Sequence, residues 1–487
     1  MTTLAAAETA ARALESRLRR DLAPPPLETK DGIPAPQAGD PAPPHLVEVF
    51  PFGAGHAQTW LLANGLRLIL APDPSIPVVA VHTWVRVGSA HEVAGKTGLA
   101  HLFEHLMFKA TKNRPAGVFD RVLEQLGASA NAATWLDWTC YHETIPPEHL
   151  PAVLDMEADR LAFLDLTPAA FRAELEVVRN ERREAVDNDA DGLVQEALAK
   201  ALWGADHPYG RPTLGHMADL ERMKLPDAIA FYRQHYVPGR VTVVLTGAVD
   251  TEAALLATLQ HHGRLPAAGH AERKDGTSAP PAIPAATAKL AQVTVAIDAG
   301  ADRLAVAWRT VPAGHVDQPV LTVLAELLAD ADSARLSRHL VFDHPLASSA
   351  DATELALQAG GAFEIHLTML PGKSAGEGLA AVDAVLQDLM GARPVSEAEV
   401  AAAKNRLRME HFQSLTGVDG RAEALGWHQA TLGDPKAHAA FWAAVARVAP
   451  ADVLRVARLY LKGPRAIVTG AAPRERATAR PRKTRAT

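Results

Sequence analysis

The chain has 487 residues and a formal net charge of −7, from 49 Lys and Arg against 56 Asp and Glu. This balance favours solubility and argues against a general polyanion binder, so no nucleic-acid partner is expected. The only cysteine, Cys140, excludes an intrachain disulfide, and no uninterrupted apolar run approaches the roughly 18 residues of a membrane-spanning helix.

The N-terminal segment, residues 1–45, is predicted to contain an amphipathic helix and a Pro-rich arm. Leu14, Leu18 and Leu22 recur at i, i+4 spacing with charged residues between them. The segment has no apolar signal core, and its acidic residues dilute the pattern that a transit peptide would show. We therefore expect a cytoplasmic protein with no membrane partner.

Pro-rich stretches divide the rest of the chain. The first runs from Pro24 to Pro44, and the second is a predicted linker at 269–289. The last residues, 473–487, hold six Arg and Lys against one Glu, which predicts a basic, disordered tail. The sequence therefore predicts two main domains, at 46–268 and at 290–472.

The two predicted domains resemble each other. A strand pattern at 78–88 has a counterpart at 302–312. The pattern of helix, turn, strand and Thr-Gly at 227–249 recurs at 451–473. We interpret the repeat as the duplication of one unit. The predicted fold class is α+β, with two homologous domains that each pack helices on a mostly antiparallel sheet.

The strongest chemical signal is the sequence HLFEH at 101–105. At about 100° per residue, His101 and His105 project from one helical face, and Glu104 lies in the same sector. Two imidazoles at this spacing can bind one metal ion, and the carboxylate can take a proton from a metal-activated water. The H-x-x-E-H order is the inverzincin signature. The alternative interpretation is a pair of solvated histidines on an amphipathic helix.

A catalytic zinc site usually has three protein ligands, so a third donor is needed. The segment at 171–188 predicts a second helix, on which Glu174 and Glu181 are seven residues apart and share one face. The helix pattern alone does not choose between these two glutamates as the ligand.

These motifs resemble those of the pitrilysin, insulin-degrading enzyme and mitochondrial processing peptidase family of zinc metallopeptidases. The similarity covers nearly all of residues 46–472. It is carried by GLAHLFEHLMFKAT, LEQLGASANAATWLDWTCYHETIP, AELEVVRNERREAV and DHPYGRPTLGHMADLERM. The resemblance implies a LuxS/metallohydrolase-like duplication, in which 46–268 is the catalytic zinc peptidase domain and 290–472 is a homologous non-catalytic domain.

The resemblance also assigns roles to the motif residues. It implies that His101, His105 and Glu181 bind one Zn²⁺ per chain and that Glu104 is the general base. Glu174 matches the family's supporting acid, which orients the ligands or the water. Zinc is favoured by the resemblance, because two histidines and a glutamate also suit manganese or cobalt.

A substrate-binding strand is implied at Asn131, Ala132, Ala133 and Thr134. The family has an edge strand here that pairs with the extended substrate. Backbone pairing suits a protease, because it binds an extended chain without requiring one side-chain sequence. The alternative is an ordinary strand and turn.

The second domain departs from the pattern of active family members, which carry an Arg and a Tyr that hold the substrate carbonyl. Arg335 aligns, but the two later Arg positions hold Val341 and His344, and the Tyr position holds Ser348. Tyr460 is the only tyrosine in this domain. We therefore expect a zinc-bearing subunit that forms a heterodimer with a homologous subunit, which supplies the Arg/Tyr pair.

The predicted function is zinc-dependent cleavage of internal bonds in peptides or unfolded polypeptides, in a chamber formed by the two subunits. The alternative is a non-catalytic scaffold, like the core subunits related to this family in respiratory complexes. Such relatives commonly lose zinc ligands, whereas all four motif residues are present here.

Overall fold

The computed structural model describes residues 3–22, 42–266, 289–329 and 331–472. Most of the Pro-rich arm, the linker up to residue 288 and the basic tail at 473–487 lie outside the described residues, so the predictions for these segments stay predictions. No helix in the described ranges combines the length and the apolar character that crossing a bilayer needs.

The first sheet has seven strands in the described chain, in the order β1-β2-β3-β7-β4-β6-β5. All neighbours are antiparallel except β3 and β7. Its central strands β4 and β7 are buried along their whole length and rich in β-branched residues, which suits strands covered on both faces. The strands are β1 (His45–Phe52), β2 (Gly55–Leu61), β3 (Arg67–Pro72), β4 (Val79–Val85), β5 (Ser129–Thr134), β6 (Thr139–Ile145) and β7 (Val241–Gly247).

The second sheet has five strands in the described chain, in the order β10-β11-β9-β12-β8. Only the pair of β8 and β12 is parallel. The strands are β8 (Gln292–Ala296), β9 (Arg303–Thr310), β10 (Ala347–Leu357), β11 (Gly360–Met369) and β12 (Ala466–Ala471).

The two sheets share one topology. Each strand of the second sheet has a counterpart in the first. In spatial order, β8, β12, β9, β11 and β10 correspond to β3, β7, β4, β6 and β5, and the same correspondence holds in chain order. The parallel pair falls at the same place in both sheets. Among the described strands, the first sheet adds only the hairpin of β1 and β2. The predicted α+β fold with two homologous, mostly antiparallel domains is confirmed.

Helices cover both faces of each sheet. The described helices are α1 (Leu4–Asp21), α2 (Leu99–Leu106), α3 (Val118–Gln125), α4 (Leu150–Phe163), α5 (Pro168–Arg182), α6 (Ala190–Trp203), α7 (Met217–Arg222), α8 (Leu225–His235), α9 (Thr251–His261), α10 (Gln318–Leu328), α11 (Arg335–Ser337), α12 (Ala375–Met390), α13 (Glu397–Ser414), α14 (Val418–Leu432), α15 (Ala437–Arg447) and α16 (Pro450–Tyr460). Two π-helical turns, Arg183–Asp187 and Arg338–Asp343, extend α5 and α11.

The first sheet has an inner and an outer face, defined by the alternation of side chains along β4. Val79 and Val81 point to the inner face, where they share a core with Leu102 and Phe103 of α2. Trp84 points to the outer face, which is covered by α14 of the second half. The candidate metal helix α2 and the crossing helix α14 therefore lie on opposite sides of one sheet.

The second sheet receives a helix from the first half in the same way. Leu198, Leu202 and Trp203 of α6 share a core with Ala305 and Ala307 of β9. Each half therefore contributes one helix to the sheet of the other half.

Candidate metal centre and its family

The carboxylate of Glu92, in the segment just before helix α2, sets the start of that helix. Gly98 precedes the helix with a φ of 93° and offers no side-chain cap. The two oxygens of Glu92 accept hydrogen bonds from the backbone N–H groups of Gly98 at 2.9 Å and Ala100 at 2.8 Å. Glu92 therefore satisfies two N–H groups that a helix start leaves without an intrahelical partner.

The two motif histidines lie one turn apart on α2, as the H-x-x-E-H spacing requires. Leu102 and Phe103 are fully buried in the first core and fix the rotation of the helix. The imidazole centroids of His101 and His105 are 4.8 Å apart. His101 is 6% exposed, and its ring still reaches the surface of the helix that faces α5.

Glu181 of α5 faces both rings. Its two carboxylate oxygens lie 3.5 Å from Nε2 of His101 and 3.4 Å from Nε2 of His105. The two rings hold the pKa of the Glu181 carboxyl well below its usual range, and Glu181 in turn raises the pKa of His105. The structure thus brings together two imidazole nitrogens and one ionised carboxylate.

Glu174 lies at the other side of His105. One of its oxygens is 3.7 Å from Nδ1 of His105, and the other forms an ion pair with Lys109 at 2.9 Å. A carboxylate at the far nitrogen of a ligand histidine is the usual arrangement for orienting the ring. The geometry therefore favours Glu181 over Glu174 as a third donor, and it puts Glu174 at the ring nitrogen from which an acid could orient His105.

Glu104 is half-buried beside the cluster. Its charge contributes to the raised pKa of His105, after the larger effect of Glu181. Within the described part of the chain, Glu104 forms no hydrogen bond or ion pair, so its carboxylate is available to a water molecule.

The predicted substrate strand is the edge of the first sheet. Residues Asn131–Thr134 belong to β5, which pairs with β6 on one side only, among the described strands. Ala132 faces the inner side with α2, because its cross-strand partner Tyr141 belongs to the inner core. The side chain of Asn131 accepts a hydrogen bond from the N–H of Ala132 at 2.8 Å.

The donor set fits a divalent metal ion such as zinc. One ligand atom from each of His101, His105 and Glu181 can be chosen so that all three lie within 4.8 Å of one another. Ligand atoms about 2.1 Å from a tetrahedral zinc ion are about 3.4 Å apart, which is close to the two observed separations of 3.4 and 3.5 Å.

Comparisons with known proteins place this site in a family. The model for insulinase (peptidase family M16) matches residues 67–216, and the model for the peptidase M16 inactive domain matches 222–407. A zinc protease of Helicobacter pylori is 30% identical over 319 residues, which cover 63% of this chain and 70% of that protein. The chain belongs to the insulinase family, peptidase family M16.

Other members of the M16 family agree with this placement. The mitochondrial-processing peptidase subunit beta of Lentinula edodes is 26% identical over 82% of this chain and 86% of its own length. The crystal structure of a protease from Helicobacter pylori superposes with a TM-score of 0.79 at 27% identity, over 86% of this chain and 99% of that one. Homologues in the family are named zinc proteases, which supports zinc as the metal of the family.

In this M16 chain the second half uses its aligned Arg and its tyrosine internally. Arg335 forms an ion pair with Glu399 and donates to the backbone oxygen of Arg393 at 2.6 Å. The hydroxyl of Tyr460 donates to Asp317 at 2.7 Å. Both side chains therefore have structural partners.

Sequence reasoning missed the residues that support the M16 metal helix from a distance. Glu92 is one, and Asp219 is another, since it accepts hydrogen bonds from the side chain and backbone of Thr97 just before α2. No periodic pattern marks either residue, because both act from loops or other helices. The one local sequence signal for Glu92 was an acidic residue six positions before a glycine.

We expect Glu181→Gln to weaken zinc binding by more than about 100-fold, because it removes a charged ligand. Glu174→Gln should weaken binding by about 10- to 100-fold, since it only orients His105. Competition with a chromophoric chelator measures both, with the exposed Glu184→Gln as the matched control. A larger loss of zinc affinity in Glu174→Gln than in Glu181→Gln would make Glu174 the ligand and Glu181 the orienting acid.

Glu92→Gln should lower the free energy of unfolding by about 1–3 kcal/mol, because the amide NH₂ cannot accept one of the two backbone hydrogen bonds. Burial raises the pKa of Glu92 from 4.5 to about 8, so the folded chain holds an extra proton between those values. Stability due to this group therefore falls as pH rises from 4.5 to 8, and the variant should lose that slope.

Denaturant unfolding from pH 5 to 8 measures both effects. The exposed Glu148→Gln is the control, with an expected change within about 0.5 kcal/mol. An unchanged pH slope in Glu92→Gln would show that Glu92 is ionised in the fold.

Proposed function

We propose that this chain is a zinc-dependent endopeptidase that cleaves peptides or unfolded segments in a chamber formed with a homologous partner subunit. The observation that carries the proposal is the convergence of His101, His105 and Glu181 beside the carboxylate of Glu104, which has no hydrogen bond or ion pair among the described residues. Membership of the M16 family, whose homologues are named zinc proteases, supports it.

His101, His105 and Glu181 would hold the ion in this mechanism. When bound, zinc supplies Lewis acidity, which polarises the scissile carbonyl and makes a water molecule acidic. Glu104 accepts the proton of that water and returns it to the leaving amine. Glu174 and Lys109 keep the ring of His105 in its orientation through the contacts described above.

The edge strand β5 supplies the substrate site of the proposal. An extended peptide adds to a free strand edge through backbone hydrogen bonds, which tolerate many side chains. β5 contacts α2, so a peptide bound along Asn131–Thr134 would run close to the metal helix. To pair fully, such a peptide has to compete with the side chain of Asn131 for the N–H of Ala132.

A partner subunit follows from what the second half lacks. No Arg and Tyr pair is free there within the described residues, since Arg335 and Tyr460 are engaged with Glu399 and Asp317. One relative is itself named as a subunit, the beta subunit of a mitochondrial-processing peptidase. A homologous subunit that supplies an Arg and a Tyr would complete the site.

Peptide cleavage by the zinc-loaded chain, with and without a co-encoded homologous protein, tests the proposal. We expect slow cleavage by the chain alone and a rate about 10²–10³ times higher with the partner, the usual contribution of one positioned oxyanion donor. If the single chain alone cleaved peptides at the full rate, the proposed heterodimer would be overturned. Bound zinc with no cleavage under either condition would overturn the proposal that the chain is an enzyme and would favour a scaffold subunit.

A further inference from the structure

Two histidines outside the candidate catalytic site face each other on the first sheet. His82 of β4 and His142 of β6 are direct cross-strand partners, with ring centroids 5.3 Å apart. Their side chains point to the same face of the sheet as those of Trp84 and Cys140, which belong to the core on the outer face. The pair therefore lies on the opposite side of the sheet from α2.

The crossing helix α14 brings a carboxylate to this pair. Asp419, in the first turn of α14, places Oδ1 3.0 Å from Nε2 of His82 and 4.0 Å from Nδ1 of His142. One donor atom from each of the three residues can be chosen so that all lie within 4.8 Å of one another. Two imidazoles and a carboxylate are again a donor set that divalent transition metals accept.

Helix α14 packs closely against the sheet, so the fold fixes the position of Asp419. A Cβ at Gly426 would lie 2.0 Å from Nε1 of Trp84, so only glycine allows this approach. At the start of the helix, the hydroxyl of Thr246 donates to the backbone oxygen of Val418 at 2.7 Å.

The second ring nitrogen of His82 also has a partner. Its Nδ1 lies 3.9 Å from Sγ of Cys140, whose thiol donates to the backbone oxygen of Tyr141 at 3.7 Å. A neutral imidazole has one N–H. When the N–H is on Nδ1 and points at Sγ of Cys140, Nε2 directs a lone pair at the Asp419 carboxylate. In that tautomer the contact is repulsive unless a cation binds both atoms. In the other tautomer, Nε2–H donates a hydrogen bond to the Asp419 carboxylate.

We propose that His82, His142 and Asp419 bind a second divalent transition-metal ion, of the zinc class, that links α14 of the second half to the first sheet. A hydrogen bond between His82 and Asp419 alone explains one contact and leaves the position of His142 without a role. The side chain of Asp419 is 52% exposed and that of His142 is 32% exposed, so water can complete the coordination.

Metal stoichiometry of the full chain tests this proposal independently of cleavage. The metal-free protein is titrated with Co²⁺, followed by its visible absorption, and zinc is counted by mass spectrometry after dialysis. We expect two ions in the wild type. One ion should remain in His101→Ala with His105→Ala, one in His142→Ala with Asp419→Asn, and none when all four changes are combined.

The controls separate this site from non-specific binding and from misfolding. His339 and His344 also form a close imidazole pair, with centroids 4.8 Å apart, and replacing both by Ala should leave the count at two. Asp419→Asn alone is the milder variant if His142→Ala alters the circular dichroism spectrum. One ion in the wild type and none in His101→Ala with His105→Ala would overturn the second site, whatever the peptidase activity.

Discussion

Glu104→Gln is expected to keep the bound metal and to lose peptide cleavage by a factor of about 10²–10⁴, the usual contribution of a positioned general acid–base group. The amide preserves the size of the side chain but cannot accept a proton. Since Glu104 forms no hydrogen bond or ion pair within the described residues, the change removes no structural contact. Single-turnover cleavage of a quenched peptide, together with zinc analysis, measures both quantities.

The exposed Glu124→Gln is the control for this variant, and its cleavage rate should match that of the wild type. Comparable cleavage by Glu104→Gln would remove Glu104 from the reaction. Loss of zinc together with loss of cleavage would instead make Glu104 a ligand. The two outcomes therefore distinguish a proton-transfer role from a metal-binding role.

Arg160→Met should lower the free energy of unfolding by about 3–5 kcal/mol, the typical cost of removing one partner of a buried ion pair. Arg160 of α4 is buried, with Nη2 3.0 Å from Glu143 of β6 and 2.5 Å from Glu157 of α4. Burial and the neighbouring Glu157 raise the pKa of Glu143 well above its usual range, which favours the neutral form of Glu143. The hydroxyl of Thr83 donates to Glu157 at 2.8 Å.

The two acids provide matched controls for Arg160→Met in denaturant unfolding. Glu143→Gln exchanges one neutral group for another and should cost about 1 kcal/mol or less. Glu157→Gln removes the shorter of the two carboxylate contacts of the guanidinium and should cost about as much as Arg160→Met. Equal losses of unfolding free energy in the two glutamate variants would show that Glu143 is ionised in the folded chain.

Local spacing explains which parts of the fold and site were predictable. The i, i+4 relation of His101 and His105 is fixed by the helix itself, and the repeated helix, turn and strand patterns gave the duplicated sheets. The choice between Glu174 and Glu181 was not local, because it depends on how α5 is rotated against α2. Family resemblance supplied that choice in advance.

The sequence pattern could not predict contacts between segments that are far apart along the chain. Asp419 and His82 are separated by 337 positions, and no periodicity relates them. The cap from Glu92 depends on a loop that folds back under α2. The ligand roles, the partner subunit and the cytoplasmic location stay predictions.

The exchange of helices between the halves has a consequence for how the molecule comes apart. Because α6 covers the second sheet and α14 covers the first, separating the halves exposes apolar surface on both sheets at once. Each half keeps a core of its own residues, whereas the sheet faces beneath α6 and α14 lose their cover. We expect amides of β4 and β9 to exchange hydrogen at a common rate, as one cooperative unit, and a chain cut in the linker to remain associated.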